Sequence, residues 1–283
     1  MTRCHDVRKQ ILLACSFLAL PALVGCSMNP VTGRRELILV SRDQEIALGR
    51  EAAPKFEQEF GGRVPNETLQ QYVRSVGAKI AATSDRPMPH EYTLVASDVP
   101  NAFALPGGLV FITAGLVRRM TNERQLAAVL AHETVHVAAK HSVQQMQKQM
   151  GAQLLVEIAG RVGGEKGGAA ADVAKIVATM ATLKYSRDDE YQADAVGIRY
   201  AARAAYNPWG MVELLNVLKN LAQREPGTFG EMFQTHPMSS KRIQQAEQTL
   251  RNGAYARWSP TQRDPGEARF MRMRRLLEKM LKK

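Results

Sequence analysis

Two histidines four residues apart, with a glutamate beside the first, are the residues here best suited to chemistry: His132-Glu133-Thr134-Val135-His136. Residues 127–137 are rich in helix formers and hold neither Gly nor Pro. On a helix, His132 and His136 leave one face a turn apart, so two neutral nitrogens can grip one zinc ion. Glu133 can reach a water on that ion without ligating it. Hydrolysis needs such a set: a Lewis acid, a water of lowered pKa and a carboxylate to take its proton. The apolar flanks predict burial, and a buried imidazole needs a partner. The bland alternative is a helix with two solvated histidines.

Further ligands are sought downstream. Glu190 and Asp194 are also four apart and share a helix face. Glu190 can give zinc an oxygen. Asp194 can accept a hydrogen bond from the far ring nitrogen of a ligating histidine, fixing its tautomer. Without the HExxH run, a solvated acidic patch beside Arg187 would be preferred. His236, between Thr235 and Pro237, has two competing roles. It either stabilises the oxyanion, or its imidazole takes zinc's fourth position and keeps the resting enzyme latent until the loop swings aside.

The positioning elements follow from pattern. Glu36–Val40 reads as a short strand, and Ser41 with Gln44 as a capping box opening a helix to about Phe60, with an irregularity at Pro54. Asn66 caps a helix through Ala82. Strand-like runs cover 92–96, 101–105 and 109–113, the last two around the turn Pro106-Gly107-Gly108. The first arm of that hairpin is either a sheet edge offering backbone pairing to an extended substrate or an ordinary core strand. The HExxH helix starts near Asn122 and is predicted to run past His141 to about Val156. Glycines between 160 and 168 break it, as a surface loop. Helices are expected over 169–183, from about Arg187, over 208–223 and over 239–253.

The 283 residues are 45% hydrophobic and 23% charged, a globular composition. Net charge is +11, and +9 once residues 1–25, with Arg3, Arg8 and Lys9 against Asp6, are set aside. The surplus fits an anionic lipid surface. No aromatic-basic alternation marks a nucleic-acid surface, so no nucleic acid is expected. All three cysteines lie within the first 26 residues, which excludes a disulfide framework or a thiolate zinc site in the body. Residues 1–25 read as a targeting segment: a basic start, then an apolar run too short to span a membrane comfortably. Leu23-Val24-Gly25-Cys26 resembles a bacterial lipobox, with Cys26 acylated as the mature N-terminus. Ser27 after it favours the outer membrane over the inner, in the periplasm. Residues 257–283 carry nine basic and three acidic groups, and are expected either to lie on anionic lipid or to form a solvated tail.

Taken in order, Asn29-Pro30-Val31-Thr32-Gly33, residues 101–108, His132–His136, Tyr185-Ser186-Arg187 with residues 190–194, and Thr235-His236-Pro237 before Arg242 resemble a known family. It is the gluzincin metallopeptidase family of the CaaX prenyl protease and HtpX, and the likeness is strongest to its small periplasmic lipoprotein members. The resemblance implies a mainly α fold with a small β-sheet (α+β), a zincin-like HExxH domain. It implies one zinc ion on His132, His136 and Glu190, Glu133 as general base, and Asp194 as orienter or proton donor. The expected organisation is a lipoprotein signal peptide (1–25), a lipidated tether (26–40), a peptidase domain (41–256) and a basic tail (257–283). The expected function is endoproteolysis of misfolded or misassembled envelope proteins, with outer-membrane assembly or chaperone partners. The rivals are a chaperone-like assembly factor and a structural zinc lipoprotein.

Overall fold

The computed structural model describes residues 26–162, 170–224 and 235–281. The targeting segment, the Cys26 side chain and most of the glycine-rich loop lie outside the described residues. The fold is mainly helical, as the family resemblance implies, with two small sheets in place of one. Strands β1 (Cys26–Met28) and β2 (Arg35–Leu37) form an antiparallel hairpin. Helices α1 (Arg42–Glu59) and α2 (Glu67–Ala81) follow, capped by Ser41 and Asn66 as the sequence indicates. Strands β3 (Glu91–Val95), β4 (Ala102–Leu105) and β5 (Leu109–Thr113) make a sheet in the order β3-β5-β4. β3 runs parallel to β5, and β4 pairs antiparallel to it in the register Phe103↔Phe111. β4 is therefore an edge strand. The remaining helices are α3 (Ala114–Arg119), α4 (Glu123–Ala138), α5 (His141–Met150), α6 (Ala152–Val162), α7 (Ala170–Ala181), α8 (Arg187–Arg203), α9 (Gly210–Arg224), α10 (Ser240–Arg251) and α11 (Glu267–Leu281).

The molecule is organised around α4. Every residue of that helix is buried, and it packs against α2, α8, α9 and β4. A helix without a solvated face cannot leave its end groups to water. At its start, the Asn122 side chain accepts from Gln125 N–H (3.0 Å), and the Asp264 carboxylate accepts from Arg124 N–H (2.9 Å). At its end, Arg86 Nη1 donates to Val137 O (3.0 Å), while Asn29 Nδ2 reaches Ala139 O (3.3 Å). Acceptors thus sit at the positive end of the helix and a cation at the negative end.

Three expectations are corrected. The HExxH helix does not continue past His141. It ends at Ala138, Lys140 turns left-handed at φ 60°, and the chain restarts at His141 in a new direction. Gly151 (φ 85°) breaks it again. No Gly or Pro marks the first break; the Arg86 and Asn29 contacts at the carbonyls there take the place of a further turn. Second, α1 runs unbroken through Pro54. The Arg50 carbonyl that loses its donor belongs to an exposed residue, so water can replace it. Third, the basic segment near the C-terminus is not a solvated tail over 267–281. There α11 buries Phe270 and Leu277 fully against α2, α3 and α4. Arg269 pairs with Glu123 through two 2.9 Å bonds, and Glu123 also accepts from the Tyr72 hydroxyl at 2.9 Å. Only Arg272, Arg275 and Lys279 keep a basic face outward.

A fully buried aromatic cut to alanine costs about 3–5 kcal/mol. Phe270→Ala is expected to destabilise the whole body by that amount in urea unfolding. A change near zero would mean that α11 is not docked in solution.

Candidate metal centre

Helices α4 and α8 bring the sequence-selected residues together because they approach closely. A Cβ on Gly197 of α8 would lie 2.9 Å from Met211 Cε and 3.3 Å from the His132 backbone nitrogen, so the hydrogen side chain sets the spacing. Ser186 opens α8 with a capping box to Asp189. Glu190 and Asp194 then face the two histidines one turn apart.

Ligand-type atoms of His132, His136, Glu190 and His236 lie within 4.8 Å of one another, all buried. His132 Nε2 and His136 Nε2 are 3.0 Å apart. His136 Nε2 is 3.5 Å from Glu190 Oε1, and His236 Nδ1 is 2.9 Å from that same oxygen and 3.4 Å from His132 Nε2. A tetrahedral zinc ion with bonds of 2.0–2.1 Å needs ligand separations of roughly 3.3–3.4 Å. The residues therefore fit one ion, with His236 as a fourth donor. Charge points the same way. Glu133, Glu190 and Asp194 are three buried carboxylates facing the single guanidinium of Arg242. Carboxylates outnumber guanidinium groups there, and a bound cation would offset the surplus negative charge.

On both α4 histidines the ring nitrogen turned away from the cluster is engaged. His132 Nδ1 lies 3.0 Å from Asp194 Oδ1, the orienting contact expected of Asp194. Arg242, from α10, grips Asp194 through Nε and Nη2 at 2.7 Å each. Its Nη1 lies 2.5 Å from Glu190 Oε2, a charge contact without hydrogen-bond alignment. Burial pushes the Asp194 carboxyl up, but Arg242 outweighs it and holds the group below the usual range. Asp194 is thus held as a carboxylate, which suits an orienter. Glu190 is held well below its usual range too: burial opposes, while His236 and Arg242 prevail. Burial drives His136 well below its ordinary value, keeping the imidazole neutral and able to ligate.

His136 Nδ1 meets a partner that the sequence reading missed: His141 Nδ1, 3.0 Å away. His141 Nε2 in turn lies 2.7 Å from Gln192 Oε1. With His136 protonated at Nδ1, His141 accepts there and donates to Gln192. On an unbroken helix, position 141 would lie about 140° round the axis from 136. The left-handed turn at Lys140 is what returns it. Arg242 was noticed as part of a pattern but given no role. Its signal was its place in the first turn of a helix whose start faces α8.

Glu133 stands apart from the four donors. Its Oε2 is buried with no hydrogen-bond partner, and its Oε1 is 3.8 Å from His236 Nε2, which is also unpaired. Burial raises the Glu133 pKa above the usual carboxylate value. Tyr185 braces the other side. Its ring lies 3.9 Å from that of His136, its N–H donates to Thr235 O (3.1 Å), and its hydroxyl is 2.9 Å from Ser142 Oγ. From Tyr185 and His236 a cleft of about 450 Å³ runs along β4.

Loss of an outer partner of a metal-bound histidine weakens metal affinity about 10- to 100-fold. Asp194→Ala and His141→Ala are each expected to do so, read by competition with a chromogenic chelator. Wild-type affinity in His141→Ala would mean that the imidazole pair is not a working hydrogen bond.

Residues 67–250 match the family described as Peptidase family M48. The mitochondrial metalloendopeptidase OMA1 of Schizosaccharomyces pombe is 31% identical over 231 residues, covering 78% of this chain and 65% of its own length. The beta-barrel assembly-enhancing protease of Escherichia coli K12 is 30% identical over 221 residues, covering 73% of this chain and 44% of its own. The metalloprotease YcaL of the same strain is 26% identical over 210 residues, covering 74% and 77%. This chain thus spans less than two thirds of the first two relatives. The family match runs from the first residue of α2 to the last turn of α10 and takes in the whole buried cluster, so this chain belongs to peptidase family M48.

Proposed function

We propose that this protein is a zinc-dependent endopeptidase acting on misfolded or misassembled proteins of the bacterial cell envelope. The observation carrying this reading is an unpaired, buried Glu133 oxygen beside four converging donor atoms. A structural zinc site has no use for such a carboxylate. When bound, zinc supplies a Lewis acid for the scissile carbonyl and lowers the pKa of a water. His132, His136 and Glu190 would hold it. Glu133 takes the water's proton on its free Oε2 and returns it to the leaving amine; its raised pKa suits both halves of that transfer. Asp194 keeps His132 protonated at Nδ1, and so leaves Nε2 free to ligate.

His236 is assigned to the closed position. Its Nδ1 sits among the donors, not at a distance from which to reach an oxyanion, which favours the latent resting state. The same closed site would also suit the chaperone-like rival on this scaffold, and the cleavage assay separates the two. Signal cleavage before Cys26, its acylation and outer-membrane anchoring belong to this proposal. They rest on the lipobox-like Leu23–Cys26 run. The name of the Escherichia coli relative, a beta-barrel assembly-enhancing protease, supports partners in β-barrel assembly. No described helix is long and apolar enough to cross a membrane.

On unfolded casein, Glu133→Gln is expected to lower cleavage by about 10²- to 10⁴-fold, the usual worth of a general base, with zinc content unchanged. His236→Ala is expected to raise cleavage. A fall of roughly 10²- to 10³-fold would instead identify His236 as an oxyanion donor. Equal, chelator-insensitive turnover in every form would defeat the endopeptidase reading. Intact mass of membrane-extracted protein reads the acylation: a mature start other than Cys26 would refute it.

A further inference from the structure

The cleft beside the metal centre has a composition that the hydrolytic machinery does not explain. It lies on the odd-numbered face of β4, between the end of α1 and the end of α7. Three phenylalanines form its floor. Phe60 and Phe103 have ring centroids 4.6 Å apart, Phe56 and Phe103 4.8 Å, and Phe56 stacks on Phe60 at 5.6 Å with 6° between planes. Phe56 is buried, whereas Phe60 and Phe103 are half-buried. Val99, Met180 and Leu183 add aliphatic wall. Among the described residues, the only charged group lining it is the exposed carboxylate of Glu59, and no lysine or arginine does so. His236 and Tyr185 close the end nearest the four donor atoms.

Three points bear on the occupant. A volume of about 450 Å³ is within the range of binding clefts, roughly 300–1,000 Å³, so a large side chain fits. Half-exposed aromatic rings gain from being covered by another apolar group. The register of β4 sets the direction. Ala102 and Ala104 turn toward α4, and Phe103 turns the opposite way into the cleft. A polypeptide drawn past His236 therefore offers alternate side chains to two unlike surfaces, and only one of them has room.

We propose that this cleft is a side-chain subsite that selects a bulky apolar residue, aromatic above all, within about two positions of the cleaved bond and rejects aspartate and glutamate there. The inference rests on the endopeptidase reading. It gives a physical basis for preferring unfolded chains, because such side chains are covered in folded ones. Phe60 is the residue to test, being half-buried at the cap of α1 and touching none of the donor atoms.

The experiment has two arms. In the first, unfolded casein is digested by the wild-type protein and by Phe60→Arg, and the cut sites are identified by mass spectrometry. Wild type is expected to favour Phe, Tyr, Leu or Met over Asp and Glu at one fixed position by at least about tenfold, the scale of hydrophobic-pocket discrimination. Phe60→Arg is expected to raise Asp and Glu at that same position, with melting temperature and zinc content held. A flat profile, or a preference unchanged in Phe60→Arg, overturns the subsite. In the second arm, Glu133→Gln protein binds two labelled peptides that differ only by Phe or Asp at the centre. At least about tenfold tighter binding of the Phe peptide is expected, and Phe60→Arg on that background should abolish the difference. Equal binding of the two peptides overturns the subsite. If the binding preference holds but the wild-type protein and His236→Ala cut nothing, the endopeptidase reading fails and with it the subsite as defined by a cleaved bond, leaving an apolar side-chain binding cleft.

Discussion

Burying a helix on every side leaves its end groups to be satisfied by other parts of the chain. For α4 this constraint shapes most of the fold. Its first N–H groups are met by Asn122 and by Asp264. Its last carbonyls are met by Arg86 and Asn29. Arg86 is itself buried and held by Glu45 of α1, through bonds of 3.0 and 2.6 Å. Asn29 is fixed by Glu36 across the first hairpin. Segments far apart in sequence are thus tied to the two ends of one helix. An orphaned buried backbone group costs about as much as a lost hydrogen bond, so each tie matters to the body as a whole.

The same logic governs the imidazoles on that helix. Each has one nitrogen aimed into the cluster and one aimed out, and the outward one finds a partner: Asp194 for His132, His141 for His136. The two pairings differ in kind. His132 leans on a carboxylate clamped by Arg242, a charge-assisted arrangement. His136 leans on a neutral ring whose far side is held by Gln192. Arg242 does more than clamp. It joins α10 to both carboxylates of α8, so the residues that orient the site and one that ligates it move as one unit.

Local patterns carried much of this into the sequence. Four-residue spacing placed His132 with His136 and Glu190 with Asp194. Ser41 and Asn66 marked helix starts that the structure keeps. What escaped was set by contacts distant in sequence. The turn at Lys140 has no glycine or proline to announce it, and its cause lies in Arg86 and Asn29. His141 is five positions from His136, a spacing that means nothing on a continuous helix. The basic alternation over 269–281 read as a lipid-facing or solvated segment, because the two residues that dock it, Phe270 and Leu277, are outnumbered by its arginines and lysines. The 26–40 stretch read as a turn-rich tether with a short strand over 36–40. Asn29 spends its side chain on a turn, accepting from Val31 N–H while reaching Ala139.

The clasp of Asp264 and Arg269 on the start of α4 has a consequence for the order of events during synthesis. The partners Arg124 and Asp264 are 140 positions apart. When the two histidines and Glu133 have left the ribosome, the groups that cover the front of their helix have yet to be translated. Arg242, which fixes both α8 carboxylates, comes late as well. A nascent chain carrying the whole HExxH run therefore holds an uncovered helix and an unclamped ligand set. The site is complete only when residues from the last part of the chain have docked on α4 and α8.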